Sequence, residues 1–258
     1  MEPQESVPSA NGVDIKWFNA VIDLPADVYP RAESFWSKIA NATLGTVHPE
    51  HPEYRHLVPP TGNMVIELQR IDSGPIGVHL DLVVEDIDST SARAQSIGAT
   101  LTYRHPEGHH VLRTPGGSTF CVVPWGGEAS LPPAIDPAHP HAIDQICLDI
   151  PHGDFDREIE FWNLLTGWSV NPAKFPEFRS FDQPSHLPLR LLIQRLGEDD
   201  TAGARAHLDI SSGDHVGEVT AQHVSSGAAR VQDGRYWSEM VSPGGLPYCV
   251  TSRQPDLG

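Results

Sequence analysis

The chain repeats itself. Asp23-Leu24-Pro25 returns as Asp149-Ile150-Pro151, and Phe35-Trp36 as Phe161-Trp162, both at a spacing of 126 residues. Gln69-Arg70 returns as Gln194-Arg195, His79-Leu80-Asp81-Leu82 as His207-Leu208-Asp209-Ile210, and Gly98-Ala99 as Gly227-Ala228. Pro115-Gly116-Gly117 with Phe120-Cys121 returns as Pro243-Gly244-Gly245 with Tyr248-Cys249. Anchors in one order, with a spacing that drifts only between 125 and 129, define an internal duplication. A duplication restricts the fold before any single element is read. The two copies occupy residues 14–126 and 141–254. Residues 127–140, rich in proline and glycine, read as a semi-rigid linker, and residues 1–13 as a flexible tail.

Each copy divides again. Residues 15–24 and 143–150 have the β-branched and aromatic character of strands. Residues 30–40 and 154–165 read as helices, with Phe35, Trp36 and Ile39, and then Ile159, Phe161, Trp162 and Leu165, at helical spacing. Strands are expected near 64–71 and 189–196. A second strand and helix follow at Val78–Val84 and Ser89–Ile97, the helix stopping at Gly98. Their counterparts are Ala206–Ile210 and Val216–Ser225, stopping at Gly227. A hairpin at each Pro-Gly-Gly closes each copy. The class is α+β: a strand, a helix and further strands, repeated four times.

Side chains alternate along a strand. In Val78–Val84 the residues Leu80, Leu82 and Val84 suit a face packed on helices, which leaves His79 and Asp81 on the other. Glu67, Gln69 and Cys121 fall on that same polar face. The second copy repeats the division with His207, Asp209, Gln194 and Cys249, and Asn19 and Gln145 sit on the first strands. Burying such groups unpaired costs several kcal/mol. Two readings follow: a solvated outer face, or a curled sheet whose polar face lines a cleft. The second accounts better for the recurrence of the pattern on separate strands of both copies.

Acidic residues outnumber basic ones by 34 to 17, a formal charge of −17 that argues against nucleic acid or an anionic membrane as partner. Three cysteines make no disulfide framework. The first residues lack a signal-peptide pattern and no apolar run approaches a membrane span, so a soluble, cytoplasmic protein is expected.

The Phe-Trp pairs, Val78-His79-Leu80-Asp81-Leu82 with Asp86 and Asp88, Ser96-Ile97-Gly98-Ala99, Thr114-Pro115-Gly116-Gly117 and Phe120-Cys121 together resemble the vicinal-oxygen-chelate superfamily. Glyoxalase I, bleomycin-resistance proteins and extradiol dioxygenases belong to it, and the likeness is to glyoxalase-like proteins with a double domain. The resemblance implies four βαβββ modules, forming two tandem domains with curled mixed sheets, each around a cleft for a small molecule and often a divalent metal. Glu67 and His79 match two of the family's metal positions, and would serve a first-domain metal and its catalysis. Lys16 or Trp17 and then Cys121 stand at the other two. In the second copy only His207 matches; Leu192 and Cys249 replace the two glutamates, and Ala142 or Ile143 falls at the first-strand position.

Other readings stay open beside these. A cysteine next to a histidine suits a thiol nucleophile or a small buried hydrophobe. His79 beside Asp81 suits a general base. His105, His109 and His110 read as a solvated turn, and the stretch holding His48, His51, Tyr54 and His56 as an irregular excursion able to cover a cleft. His109 aligns with Trp237, which with Tyr236 reads as a ligand-stacking aromatic. The function expected is small-molecule binding, with Trp17, Phe18, Tyr236 and Trp237 as walls and Asn19, Gln69, Asp81, Cys121, Gln145, Gln194, His207, Asp209 and Cys249 as polar contacts. The alternative is a metal-dependent lyase or isomerase working in the first domain. Pairing of modules within one chain, or between two copies in a homodimer, is left open.

Overall fold

The computed structural model describes residues 12–47, 49–106, 108–132, 140–172 and 174–255. The first half builds β1 (Ile15–Pro25), α1 (Tyr29–Ile39), β2 (Thr43–Leu44), β3 (Tyr54–Val58), β4 (Ile66–Ile71), β5 (Gly77–Val84), α2 (Ile87–Ser96), β6 (Thr100–Arg104), β7 (His110–Arg113) and β8 (Thr119–Pro124). The second builds β9 (Ala142–Ile150), α3 (Phe155–Thr166), β10 (Val170–Pro172), β11 (Phe178–Phe181), β12 (Arg190–Arg195), β13 (Arg205–Ser211), α4 (Val216–Ser225), β14 (Ala229–Asp233), β15 (Trp237–Val241) and β16 (Pro247–Thr251). Each half forms one open eight-stranded sheet, ordered β2-β3-β4-β1-β5-β8-β7-β6 and β10-β11-β12-β9-β13-β16-β15-β14. The opening strands of the two modules pair antiparallel, β1 with β5 and β9 with β13. Each also takes its own module's last strand in parallel on the other side. The modules therefore pair inside each half.

Local chemistry sets the helix ends. Asp86 caps α2, its Oδ1 accepting the Ser89 N–H at 2.9 Å. Gly167 takes φ 71° to stop α3. The stretch read as an irregular excursion contains β3, which pairs with β4 as β11 pairs with β12. It has a counterpart after all, missed because short edge strands carry little apolar alternation; His48 lies outside the described residues. His110 is not in a solvated turn: it opens β7, is buried, and its Nδ1 lies 2.7 Å from Ser91 Oγ. Of the tail, residues 1–11 lie outside the described residues, while the Val13 N–H donates to the Leu165 carbonyl at 2.9 Å. The linker begins tied down, Asn63 Oδ1 accepting from the Ala129 and Ser130 amides, and residues 133–139 lie outside the description.

The duplicated anchors meet each other across the molecule. Trp36 and Phe35 of α1 pack on Tyr248 of β16, with ring centroids 5.4 and 6.0 Å apart. Reciprocally, Trp162 and Phe161 of α3 pack on Phe120 of β8 at 5.5 and 5.8 Å. All six rings are at most 2% exposed. At roughly 1.5–3 kcal/mol for each large apolar side chain removed from water, these rings make the seam the main cohesion between halves. Arg31 donates to the Pro243 carbonyl at 2.8 Å and Arg157 to Pro115 at 3.1 Å, a matched pair that hooks each helix to the other half's turn.

One position breaks the match. Beside Pro-Gly-Gly of the first half stands Glu158, completely buried, accepting from Thr114 Oγ1 at 2.6 Å, the Gly116 N–H at 3.0 Å and the Trp162 indole at 2.9 Å. A Cβ on Gly116 would lie 2.3 Å from Glu158 Oε2, so the turn needs glycine there. The equivalent of Glu158 is Ala32, next to Gly244, and the buried Trp36 indole N–H finds no hydrogen-bond partner among the described residues. At the same seam His223 lies 3.0 Å from Tyr248 Oη and 5.3 Å, centroid to centroid, from His141. Burial first, then the neighbouring His141, lowers His223 to about 3.

Glu158→Ala leaves three buried donors without their acceptor and is expected to cost about 3 kcal/mol or more, read as a lower urea midpoint. Gly217→Ala, where a Cβ meets open space on α4, is expected to add up to about 1 kcal/mol. Because His223 binds its proton more weakly folded than unfolded, stability is full above about pH 6.5 and falls as the pH drops toward about 3. His223→Gln should flatten that acid limb of the stability profile.

Candidate functional site

The polar face of each sheet gathers the same four side chains. In the first half Asp23 of β1, His79 and Asp81 of β5 and Cys121 of β8 lie together; in the second, Asp149 of β9, His207 and Asp209 of β13 and Cys249 of β16. Register explains the convergence: Asp81 is the cross-strand partner of Cys121 and Asn19, and Asp209 of Cys249 and Gln145. His79 Nδ1 lies 2.9 Å from Asp23 Oδ2 and its Nε2 3.5 Å from Asp81 Oδ1. His207 Nδ1 lies 2.9 Å from Asp149 Oδ2 and its Nε2 3.4 Å from Asp209 Oδ1. Each imidazole is thus clasped between two carboxylates.

Burial alone would lower both imidazoles. Asp23 and Cys121 around His79, and Cys147, Asp149 and Asp209 around His207, outweigh it and hold both rings well above the ordinary histidine range. Burial pushes the thiols up, Cys121 to about 11 and Cys147 to about 12, with Cys249 raised for the same reason. Burial also raises Asp81 to about 6, against the pull of His79 and with the push of Glu67. The clusters are proton-rich: imidazolium and thiol, with carboxylates around them. Neither the cysteines as nucleophiles nor His79 as a general base matches these protonation states, since both roles need a free electron pair.

Around the second cluster opens a cavity of about 840 Å³, lined by Gln145, Asp149, Gln194, His207, Asp209 and Cys249 on its polar side. Phe175, Phe178, Tyr236 and Trp237 also line it, with Phe175 5.6 Å from Tyr236 and 6.1 Å from Trp237, and Phe178 6.1 Å from Trp237. Lys174 reaches over Tyr236, 4.0 Å from the ring and 2.7 Å from its hydroxyl. Gln145 donates to Asp209, and Cys147 Sγ–H points at Gln194 Oε1 at 3.8 Å.

The walls expected from Trp17 and Phe18 are not there. Both are completely buried: Trp17 donates its indole N–H to the Met64 carbonyl at 2.9 Å, and Phe18 packs 5.8 Å from Trp168 in the seam-side core. Glu67 is not drawn into a donor group with His79; it pairs with His56 Nε2 at 2.8 Å. Gln69 lies on β4 opposite Asp23 and Tyr54. Sequence reasoning missed Asp23, Asp149 and Cys147 as site residues, although Asp23 and Asp149 open one of the repeated anchors. It also missed Phe175 and Phe178, which have no motif.

Three donor groups are close enough for a metal ion, namely His79–Asp81–Cys121, Cys147–Asp149–His207 and His207–Asp209–Cys249, the atoms of each within 4.8 Å of one another. They are candidate metal sites: a metal ion would displace the imidazole and thiol protons of the unliganded clusters, and the carboxylates on His79 Nδ1 and His207 Nδ1 stand where metal-bound imidazoles commonly keep a second partner.

A glyoxalase-like domain model matches residues 19–123 and again 145–251, and the chain belongs to that family, with the paired-module architecture of the vicinal-oxygen-chelate superfamily. No curated protein sequence matches it significantly. Among solved structures it is similar to the 2,3-dioxygenase LapB from Pseudomonas sp. KL28, with TM-score 0.63, 10% identity, and 93% of this chain and 92% of that one covered. It is also similar to 2,2',3-trihydroxybiphenyl 1,2-dioxygenase from Sphingomonas wittichii strain RW1, with TM-score 0.60, 13% identity and 95% of both chains covered. It spans half the length of a xylose isomerase-like TIM barrel/4-hydroxyphenylpyruvate dioxygenase fusion protein, with TM-score 0.59, 13% identity and 97% of this chain covered. At these identities the likeness is one of fold. Among the described residues, no helix is long and apolar enough to cross a membrane.

Replacing Asp149 by Asn removes the carboxylate on His207 Nδ1. The ring's pKa is expected to fall toward the ordinary 6.5, followed by the imidazole ¹⁵N shifts across a pH titration. An unchanged titration would show that the clasp does not hold the proton. The sign is opposite to that of His223: the raised pKa contributes stability below about pH 6.5 that is lost as pH climbs through the folded value.

Proposed function

We propose that the chain is a small-molecule-binding protein whose second domain holds a planar, largely apolar compound, with its hydrogen-bonding end on the His207 cluster. The observation that carries this is the cavity itself, which brings four clustered aromatic rings together with Gln194, His207, Asp209 and Cys249. Its volume lies within the usual range for sites that engulf a drug-sized molecule, roughly 300–1,000 Å³. The rings supply stacking area, and the polar wall fixes orientation.

The polar floor of His207, Asp209 and Cys249 gives such a compound its hydrogen-bonding partners. The metal-dependent lyase reading placed in the first domain loses support from the pairing of Glu67 with His56.

Thermal-shift titration with 1-naphthol and indole tests the reading. A saturable rise in melting temperature is expected, since a ligand at a hundred times its Kd stabilises the native state by about 2.7 kcal/mol. Trp237→Ala should weaken binding at least tenfold, or about 1.4 kcal/mol, while Asp81→Asn, in the other domain, leaves it unchanged. Absence of any saturable shift from planar probes would end this reading. Stoichiometric divalent metal in the purified protein would return the alternative.

A further inference from the structure

The two clusters share one plan but differ in how their carboxylates are satisfied. In the second domain Asp149 has Arg205, its Nε 3.8 Å from Oδ2, and Asp209 takes a hydrogen bond from Gln145. Arg205 is forked mainly onto Asp200, at 2.8 Å, so its approach to Asp149 is a charge contact and not a hydrogen bond. In the first domain neither group has a counterpart. The strand position of Arg205, opposite Asp149, is held by Gly77, opposite Asp23. The position of Gln145 is held by Asn19, one methylene shorter.

The consequence shows at the atoms. Asn19 Oδ1 and Asp23 Oδ1 are buried and accept no hydrogen bond among the described residues, and Asp81 Oδ1 has only the long approach of His79 Nε2, whereas Asp209 also takes a hydrogen bond from Gln145. Asn19 and Asp81 are 7% and 8% exposed. Asp81 Oδ1 points into the cluster, 3.5 Å from His79 Nε2. Buried acceptors without donors are rare in native proteins and call for an explanation. At Gly77, moreover, an added Cβ would meet nothing within 4 Å, so the space that a side chain would enter is open. Asp23 and Asp81 flank His79, and among the described residues no cationic side chain takes the place that Arg205 holds beside Asp149.

We propose that the first domain contains a second binding site, for a small organic monocation bearing N–H donors, an ammonium or guanidinium group, which occupies the place of the missing Arg205 and hydrogen-bonds to Asn19, Asp23 and Asp81. The carboxylates of Asp23 and Asp81 on either side of His79 favour a positively charged guest. Tyr54 stands opposite Gln69 on the adjoining strands, and its phenol is pushed up by burial and by the charge of Asp81. This site is independent of the cavity in the second domain.

The test is calorimetric titration of the full chain with methylguanidinium and benzylammonium, beside tetramethylammonium, which has no N–H, and zinc and magnesium chlorides. One equivalent of an N–H-bearing cation is expected to bind saturably, at least tenfold more tightly than tetramethylammonium. Asp81→Asn should weaken it at least tenfold. Gly77→Arg, which restores the cation from within the chain, should abolish it, while Trp237→Ala leaves it unchanged. Equal affinity for tetramethylammonium, binding that survives Gly77→Arg, or saturable binding of the divalent ions alone would overturn the proposal. Should either first-domain variant fail to fold, the Asn19 side-chain amide resonances of the unaltered protein provide the reading. Movement with benzylammonium and not with tetramethylammonium supports the site, and no movement overturns it.

Discussion

The reciprocal seam organises the molecule. Each half places a Phe-Trp pair from its first helix beneath the other half's final hairpin, and each hairpin presents one aromatic, Tyr248 or Phe120, to receive it. Neither sheet has enough cover of its own on the helical side, so each borrows from the other. That explains why the sequence anchors survive at near-constant spacing. Phe-Trp, Pro-Gly-Gly and the aromatic three residues beyond it form one contact seen twice, and change in one partner is constrained by the other across the seam. The exchange of Glu158 for Ala32 marks where the two contacts have parted, one side gaining a buried acceptor and the other leaving the Trp36 indole without one.

With the helical sides locked together, the polar faces turn outward, and there the halves have diverged. Both keep an imidazole clasped by two aspartates with a cysteine alongside. Around that shared floor the second half carries Phe178, Leu192 and Trp237 where register or repeat places Tyr54, Glu67 and His109 in the first. Apolar rings line the cavity of the second half, while carboxylate, phenol and imidazole surround the matching cluster of the first. A duplicated scaffold has in this way kept its acid–base core and changed what surrounds it.

Much of this was legible in the sequence because it rests on periodicity. The helices and the central strands carry regular apolar spacing, and the polar positions His79, Asp81, His207 and Asp209 stand out against it. The edge strands β2, β3, β10 and β11 were not legible, since they are short and half exposed. Trp17 was misread for a related reason: alternation gives the face a residue points to, and not whether a neighbouring loop covers it, as the Met64 carbonyl does here. Asp23 and Asp149 were visible as repeat anchors, but their role depends on which strand lies beside them. Glu67 was assigned by family position, yet His56 on the adjacent edge strand competes for it more closely than any partner on β5.

Seam and cleft share their backbone. Tyr248 and Cys249 are successive residues of β16, one docking Trp36 and the other flooring the cavity, and Phe120 and Cys121 do the same on β8. A guest that shifted the thiol by a fraction of an ångström would have to drag the neighbouring ring through a tightly filled interlock. Each cluster therefore has a stiff base, and any accommodation of a guest would fall to the outlying loop and edge residues around it.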